Sequence, residues 1–218
     1  MAILTPIRAH ALAVRIIPRV SPGYAAVLGL KPGQTSLGLI TADNDDALYV
    51  SIDEATKMAE VSVIYAHSFY AGARHASGPY SGEIIAMLAG PDPAEMRSGL
   101  DAAVRYLETR ALWYSADQDD GVAFFPHVIS RIGSYLAGAS GLPEQSAIAY
   151  LVAPPIEGCL ALDAALKAAD VSIATYTAPP SETNFMGAML TGEQSACEAA
   201  ALAFQETVLD VARRPILY

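Results

Sequence analysis

An internal repeat constrains the fold of this chain more than any other feature of its sequence. The segment DEATKMAEVSV begins at Asp53 and DAALKAADVSI begins at Asp163, an offset of 110 positions (from 53 to 163), and six of the eleven positions are identical. Each copy is about as long as an ordinary domain. We therefore predict two similar fused domains, residues 1–110 and 111–218.

The repeat continues on both sides of this segment. Arg19 recurs as Arg131, an offset of 112 (from 19 to 131), and Met87 recurs as Met189, an offset of 102 (from 87 to 189). Because the offset changes only between matching segments, the insertions and deletions are expected in loops. Two copies are too few for a solenoid.

Each copy is predicted to follow the order β-β-α-β-β-α, which is typical of an α+β domain. In this prediction Asp53 caps a helix, and Asp92 caps another, with Glu95 at capping-box spacing. The predicted strands are 11–20, 36–41, 48–52, 61–65, 83–89, 123–131, 147–153, 171–176 and 185–191, and the predicted helices are 53–60, 93–108, 163–169 and 193–212.

The two copies differ most in one connector. Val63 and Met87 are 24 positions apart, whereas Ile173 and Met189 are 16 apart, so the first copy has eight extra residues (24 against 16). They fall in residues 66–82, a stretch rich in Gly, Ser and Ala. Long connectors in compact domains are often binding loops or lids.

Composition excludes several classes of function. The net charge of −10 argues against binding to a nucleic-acid backbone, and no apolar run approaches the length of a membrane span. Only two cysteines occur, Cys159 and Cys197, outside any CxxC spacing, which is typical of a reducing cytoplasm.

Motifs for catalysis are also missing from the sequence. Neither a G-x-S-x-G elbow nor a Gly-rich phosphate loop occurs. His67 and His75 share the long connector, but their spacing fits no common zinc pattern, so we interpret them as surface residues. Three copies around a symmetry axis would still allow a ring of histidines. We predict no metal and no cofactor.

The run Asp43-Asn44-Asp45-Asp46 concentrates negative charge after a predicted strand, whereas its counterpart, Pro154-Pro155, carries none. Trp113 lies near the junction of the copies, and packing is its more ordinary role. Carboxylates together with an aromatic face would suit a small ammonium ion.

The segments DEATKMAEVSVIY and GEIIAMLAGPDPAEMRSGLDAA resemble the shell domains of bacterial microcompartments. The segment ALAVRIIPRV comes first in its copy rather than last, as in the circularly permuted tandem shell proteins. SLGLITADNDD and YAGARH, with PPSETNF, are similar to the ethanolamine-utilisation members of that family.

This resemblance implies a pseudohexameric homotrimer that tiles with other shell proteins in the cytoplasm. It also implies a gated central pore and small acidic pores that bind ethanolamine. The implied ethanolamine site is formed by Asp45, Asp46, Glu83 and Trp113. The implied gate residues are His67, Ser68, Phe69, Tyr70, Arg74, His75, Pro179, Pro180, Glu182, Thr183 and Asn184.

Three alternatives remain at this stage. The chain would fit a tandem shell protein of a propanediol or choline compartment, a trimeric α+β enzyme, or a trimer that senses a small molecule. An enzyme requires convergent acid and base groups with shifted pKa values.

Overall fold

A computed structural model describes residues 4–69, 78–117, 121–179, 181 and 184–217. The strands are β1 (Thr5–Arg8), β2 (Ala11–Ile17), β3 (Ser36–Ala42), β4 (Ser62–Ser68), β5 (Ile84–Gly90), β6 (Leu112–Ser115), β7 (Ala123–Ile129), β8 (Ile148–Ala153), β9 (Val171–Thr177) and β10 (Met186–Gly192). The helices are α1 (Pro22–Leu28), α2 (Asp45–Met58), α3 (Pro93–Thr109), α4 (Ser134–Ser140), α5 (Pro155–Ala168) and α6 (Gln194–Arg213).

The chain divides into two compact units. The N-terminal unit comprises Arg8–Ala111 together with Gly133–Leu136, and the C-terminal unit comprises Met1–Ile7, Leu112–Ile132 and Ala137–Tyr218. A single cut in the chain would not give these units, because Met1–Ile7 belongs to the C-terminal unit and Gly133–Leu136 belongs to the N-terminal unit. The assignment of residues 1–110 and 111–218 to two complete shell domains stays a prediction.

The repeat in sequence is also a repeat in topology. The N-terminal unit has a four-stranded sheet in the order β2-β3-β5-β4, and the C-terminal sheet contains the equivalent order β7-β8-β10-β9. The C-terminal sheet is extended by β6 and β1. In each unit two long helices pack together and against the sheet, α2 with α3 and α5 with α6. This is the predicted α+β class, with a short extra helix, α1 or α4, in each copy.

The hydrophobic cores explain the periodicity of the long helices. Met96, Leu100 and Leu107 of α3 are buried, and Phe204 and Val208 are buried at matching spacing on α6. Such stripes bury one side of a helix against a sheet and drive its formation through tertiary packing.

Two predictions for the first copy are wrong. Residues 48–52 are not a strand, because α2 runs through them from Asp45 to Met58. Leu48, Val50 and Ile52 alternate along the sequence as the buried side of a strand would, but Ser51 and Asp53 are buried as well, so this stretch belongs to a helix that is covered on most sides. Asp53 does not cap this helix, because Asn44 is the cap and its side chain accepts from Ala47 N at 2.8 Å.

Two further predictions need correction. The capping box at α3 is only half formed. Asp92 accepts from the N–H groups of Ala94 and Glu95, but the Glu95 carboxylate accepts from Glu60 N at 2.7 Å instead of from Asp92. Helix α5 begins at Pro155, well before the predicted start at 163, because Pro fits the first position of a helix. The short elements β1, β6, α1 and α4 were not predicted.

Candidate functional site

The acidic run lies in the N-terminal unit, where β3 turns into α2. Asp45 and Asp46 occupy the first turn of the helix, and Asp45 is only 7% exposed. Oδ1 of Asp45 accepts from Asp46 N at 2.8 Å. Carboxylates are favourable at this end of a helix, where the backbone N–H groups create a partial positive charge. The fold therefore holds the Asp45 carboxylate in place beyond the end of β3, with Asp46 next to it on the same helical turn.

Glu83 joins the same acidic cluster from the beginning of β5. Its backbone N–H donates to Ala42 O at 2.9 Å, which holds it beside the β3–α2 turn. The pKa of the Glu83 carboxyl is raised, mainly because its surroundings remove water and further because Asp45 and Asp43 carry the same charge. Asp43, Asp45 and Glu83 thus interact electrostatically, and with the adjacent Asp46 they make up the acidic cluster.

His10 fixes the orientation of Asp43 at the edge of this cluster. The backbone N–H of His10 donates to Asp43 Oδ1 at 2.6 Å, and His10 Nδ1 lies 3.0 Å from Asp43 Oδ2. In return, Asp43 N donates to His10 O. With both of its oxygens engaged, Asp43 stays at the rim of the cluster.

The long connector begins and ends at the acidic cluster. Phe69 N donates to Glu83 O at 2.9 Å, so the outgoing and returning ends of the connector are joined. Ser68 N donates to the phenol oxygen of Tyr49 at 3.1 Å, and Tyr49 belongs to α2. Burial raises the pKa of Tyr49, and the charges of Asp45 and Asp46 act in the same direction. The base of the connector is therefore hydrogen-bonded to the backbone of Glu83 and to a side chain of α2, the helix that carries Asp45 and Asp46.

The described gate residues lie in both units. His67 is exposed on β4 beside the ring of Tyr65, with 6.2 Å between ring centroids. In the C-terminal unit Pro179 follows β9, and Asn184 adopts a left-handed backbone with φ 66°. Ser68 and Phe69 are described at the base of the connector, and six predicted gate residues lie outside the described residues: Tyr70, Arg74, His75, Pro180, Glu182 and Thr183.

Trp113 lies on β6 in the C-terminal unit and is 6% exposed. Its ring stacks on Phe125 and meets Phe185 edge to face, each with 5.5 Å between centroids. Its indole N–H is buried, and it has no hydrogen-bond partner among the residues that the structure describes. Trp113 therefore contributes to the core of its own unit, and its role at an ethanolamine site stays a prediction.

Metal binding and membrane insertion find no support in the described residues. Within those ranges, no group of three or more His, Cys, Asp or Glu side chains is arranged to hold a metal ion. Every helix in the same ranges is too short or too polar to cross a bilayer.

Comparison with known proteins places this chain in a family. The BMC domain family matches residues 36–116. The chain is 54% identical to the bacterial microcompartment shell protein EutL of Clostridium perfringens, over 96% of this chain and 97% of that protein. It is 50% identical to EutL of Salmonella typhimurium, over 99% of both chains. The crystal structure of ethanolamine utilization protein EutL from Leptotrichia buccalis has a TM-score of 0.93 and 51% identity, and 99% of each chain is covered.

The fold and these matches define a shell protein of bacterial microcompartments built from tandem permuted BMC domains. More specifically, the chain belongs to the EutL family of ethanolamine utilisation. It is a structural protein of the compartment shell in the bacterial cytoplasm and not an enzyme. The resemblance to the ethanolamine-utilisation shell proteins is confirmed. These matches favour an ethanolamine compartment over a propanediol or choline compartment.

Sequence reasoning missed three residues that organise the cluster. Tyr49 was not singled out because a helical tyrosine has no signature of its own. His10 lies 33 positions from its partner Asp43, too far for any local pattern. Gly82 carried a usable signal, since a glycine beside a strand often marks a place where another backbone segment approaches closely.

Proposed function

We propose that three copies of this chain form a pseudohexameric shell tile with a gated pore, and that the acidic cluster binds ethanolamine. The observation that carries this proposal is the hydrogen bond from Phe69 N to Glu83 O at 2.9 Å. It joins the base of the longest connector to the backbone carbonyl of Glu83, whose side chain belongs to the cluster. A ligand bound by the Glu83 carboxylate would therefore act on the residue whose backbone holds the base of the gate. Trp113 is proposed to contribute the aromatic wall.

The ligand chemistry follows from charge. Ethanolamine is a small cation at neutral pH, and Asp45, Asp46 and Glu83 supply several acceptors for its ammonium group. Charge-assisted hydrogen bonds of this kind are stronger than neutral ones. Burial is the main cause of the raised pKa of Glu83, and a cation would relieve the repulsion from Asp45 and Asp43 that adds to it. The neighbouring hydroxyl of ethanolamine would need only one further donor or acceptor.

The gating mechanism involves no bond making or breaking. A ligand changes the population of open and closed connectors only if it binds one of them more tightly. Tyr49 gives a physical route for this difference, since its α2 helix carries Asp45 and Asp46 and its phenol oxygen accepts from Ser68 N. We propose that ethanolamine favours the closed connector.

Replacing Asp45 and Asp46 together by asparagine is expected to weaken ethanolamine binding at least about tenfold, because two charged acceptors become neutral. Isothermal titration calorimetry measures this directly. The matched control is Asp101→Asn with Glu198→Gln, which removes the same charge from exposed positions on α3 and α6. Undiminished binding by the Asp45/Asp46 variant would exclude the acidic cluster as the site.

Ethanolamine affinity is expected to rise with pH through the raised pKa of Glu83. The sign follows because the cation binds the ionised carboxylate, whereas the unliganded protein keeps Glu83 protonated to a higher pH than usual. Calorimetry at pH values from about 5 to 8, where the amine stays charged, measures the dependence. Glu83→Gln should bind more weakly and lose this part of the pH dependence. If Glu83→Gln leaves the pH dependence of the ethanolamine affinity unchanged, Glu83 is not the group responsible for it.

The trimer itself is tested by assembly. Concentrated protein is expected to form extended hexagonal layers that electron microscopy resolves, because flat pseudohexamers tile edge to edge. A regulatory trimer that senses a small molecule would remain as discrete particles.

A further inference from the structure

One face of α2 is covered by a segment from the other copy of the repeat. Asp53 is fully buried, and its carboxylate accepts from Gly133 N at 2.7 Å and from Leu136 N at 2.9 Å. Thr56 Oγ1 accepts from Ser134 N at 3.2 Å. Although Gly133–Leu136 lies far along the chain, it groups with the N-terminal unit. Asp53 thus anchors the beginning of α4.

The repeat identifies the counterpart of this contact. Helix α5 begins 110 positions after α2 (from 45 to 155), so Asp163 is equivalent to Asp53. Helix α4 begins 112 positions after α1 (from 22 to 134), so residues 21–24 are equivalent to 133–136. The register is secure because the glycines that follow these helices, Gly29 and Gly141, have φ values of 66° and 70°.

The equivalent face of α5 is exposed in the single chain. Residues 21–24 belong to the N-terminal unit, so the described part of the C-terminal unit does not include the equivalent covering segment. Val50 is 1% exposed, whereas its equivalent, Leu160, is 52% exposed. The side chain of Asp53 is 0% exposed, whereas that of Asp163 is 58% exposed.

The proposed covering segment is exposed as well. Helix α1 has no buried residue, and its Tyr24 and Val27 are 39% and 81% exposed. On α4, by contrast, Leu136, the equivalent of Tyr24, is 1% exposed. Each half of the contact is therefore present in the chain and exposed to solvent.

The residues on the two sides of this contact have changed in pairs. The donor residue Ser134 is equivalent to Pro22, which has no N–H. The acceptor residue Thr56 is equivalent to Leu166, which has no hydroxyl. Donor and acceptor have disappeared together.

The same holds for an aromatic pair. Tyr49 and Tyr135 stack with 6.1 Å between ring centroids, and their equivalents are the small residues Cys159 and Gly23. Matched changes of this kind are expected only where the two positions touch.

We propose that residues 21–24 of one copy dock on α5 of a second copy, where Asp163 accepts from the backbone N–H groups of Ser21 and Tyr24. This inference rests on the proposed trimer and supplies its subunit contact. Because the two surfaces differ, the contact is head-to-tail and builds a ring that a third copy closes. A Cβ at Gly133 would lie 2.8 Å from Asp53 O, so Ser21 sits slightly farther from α5 than Gly133 sits from α2.

The first test places a thiol at the predicted contact. Gly23→Cys is compatible with the fold, because nothing lies within 4 Å of a Cβ at this position. A short bis-maleimide is expected to join it to the exposed native Cys159 of the next copy, giving covalent dimers and trimers on denaturing gels. Adding Cys159→Ser to the same variant should abolish these bands. Cys197 is buried and does not compete.

The second test removes the carboxylate. Asp163→Ala is expected to raise the dissociation constant of the trimer at least about tenfold, since two charge-assisted hydrogen bonds are lost per contact. Sedimentation velocity over a concentration series measures it, and Asp101→Ala on the exposed side of α3 is the matched control.

The outcomes separate this inference from the proposed function. A wild-type trimer without cross-links at position 23 overturns the inference and leaves the trimer intact. Cross-linking with unaltered assembly of Asp163→Ala supports the docking and overturns the role of the carboxylate. A wild-type protein that is monomeric at all concentrations overturns both the inference and the proposed trimer.

Discussion

Replacing Asp53 by alanine is expected to lower the free energy of unfolding by about 3 kcal/mol. The carboxylate is fully buried and accepts from the N–H groups of Gly133 and Leu136, while Lys57 Nζ lies 3.7 Å away. Burial raises the pKa of Asp53, and the two backbone hydrogen bonds oppose that shift. Without the carboxylate, two backbone donors lose their acceptor in a place that water does not reach, whereas Lys57 keeps its ion pair with Glu54.

Urea denaturation followed by circular dichroism measures the loss of stability, and hydrogen exchange localises it. The amides of Gly133 and Leu136 should exchange much faster in Asp53→Ala, whereas Asp101→Ala, on the exposed side of α3, should change stability by less than about 0.5 kcal/mol. Full protection of both amides in Asp53→Ala would contradict the assigned hydrogen bonds.

Replacing Gly82 by alanine is expected to cost about 3 kcal/mol and to weaken ethanolamine binding at the same time. Gly82 has φ of +63°, and an added Cβ would lie 1.9 Å from Ala42 O. Relief of this clash requires separation of Glu83 N from Ala42 O, the 2.9 Å hydrogen bond that holds Glu83 in the cluster. The same backbone shift would disturb the base of the connector.

Gly78→Ala is the matched control on the same connector. The nearest atom to its added Cβ is Ser81 Oγ at 3.8 Å, an ordinary contact, so its thermal midpoint should stay near that of the wild type. The thermal midpoint and the calorimetric affinity are measured for both variants. A stable Gly82→Ala protein with normal affinity would show that the approach of Gly82 to Ala42 does not position the cluster.

The acidic cluster was predictable only in part. Asp45 and Asp46 stood out because four polar residues follow a strand where the second copy has two prolines. Glu83 was assigned to the site only through the family resemblance, because no local pattern links it to residues nearly forty positions earlier. Tyr49 and His10 act through hydrogen bonds to residues 19 and 33 positions away, and such bonds leave no periodic trace in a sequence.

Asp53 illustrates the same limit most clearly. In sequence it precedes a helical stretch and has the chemistry of a cap, so capping the following helix was the natural interpretation. In the fold it lies within α2 and accepts from residues 80 and 83 positions away. The sequence correctly indicated a carboxylate that accepts from N–H groups at the beginning of a helix, but that helix is α4 and not the one predicted to follow Asp53.

The sequence by itself determined the α+β class, the duplication and the place where the two copies differ, because hydrophobic periodicity, cap residues and internal identity are local properties. Only the tertiary structure decided that Glu83 meets the β3–α2 turn and that Asp53 is buried under Gly133–Leu136. The physical reason is that long-range hydrogen bonds and burial arise when distant segments pack together. The energy of each contact then depends on the partner and on the exclusion of water, and neither is encoded near the residue itself.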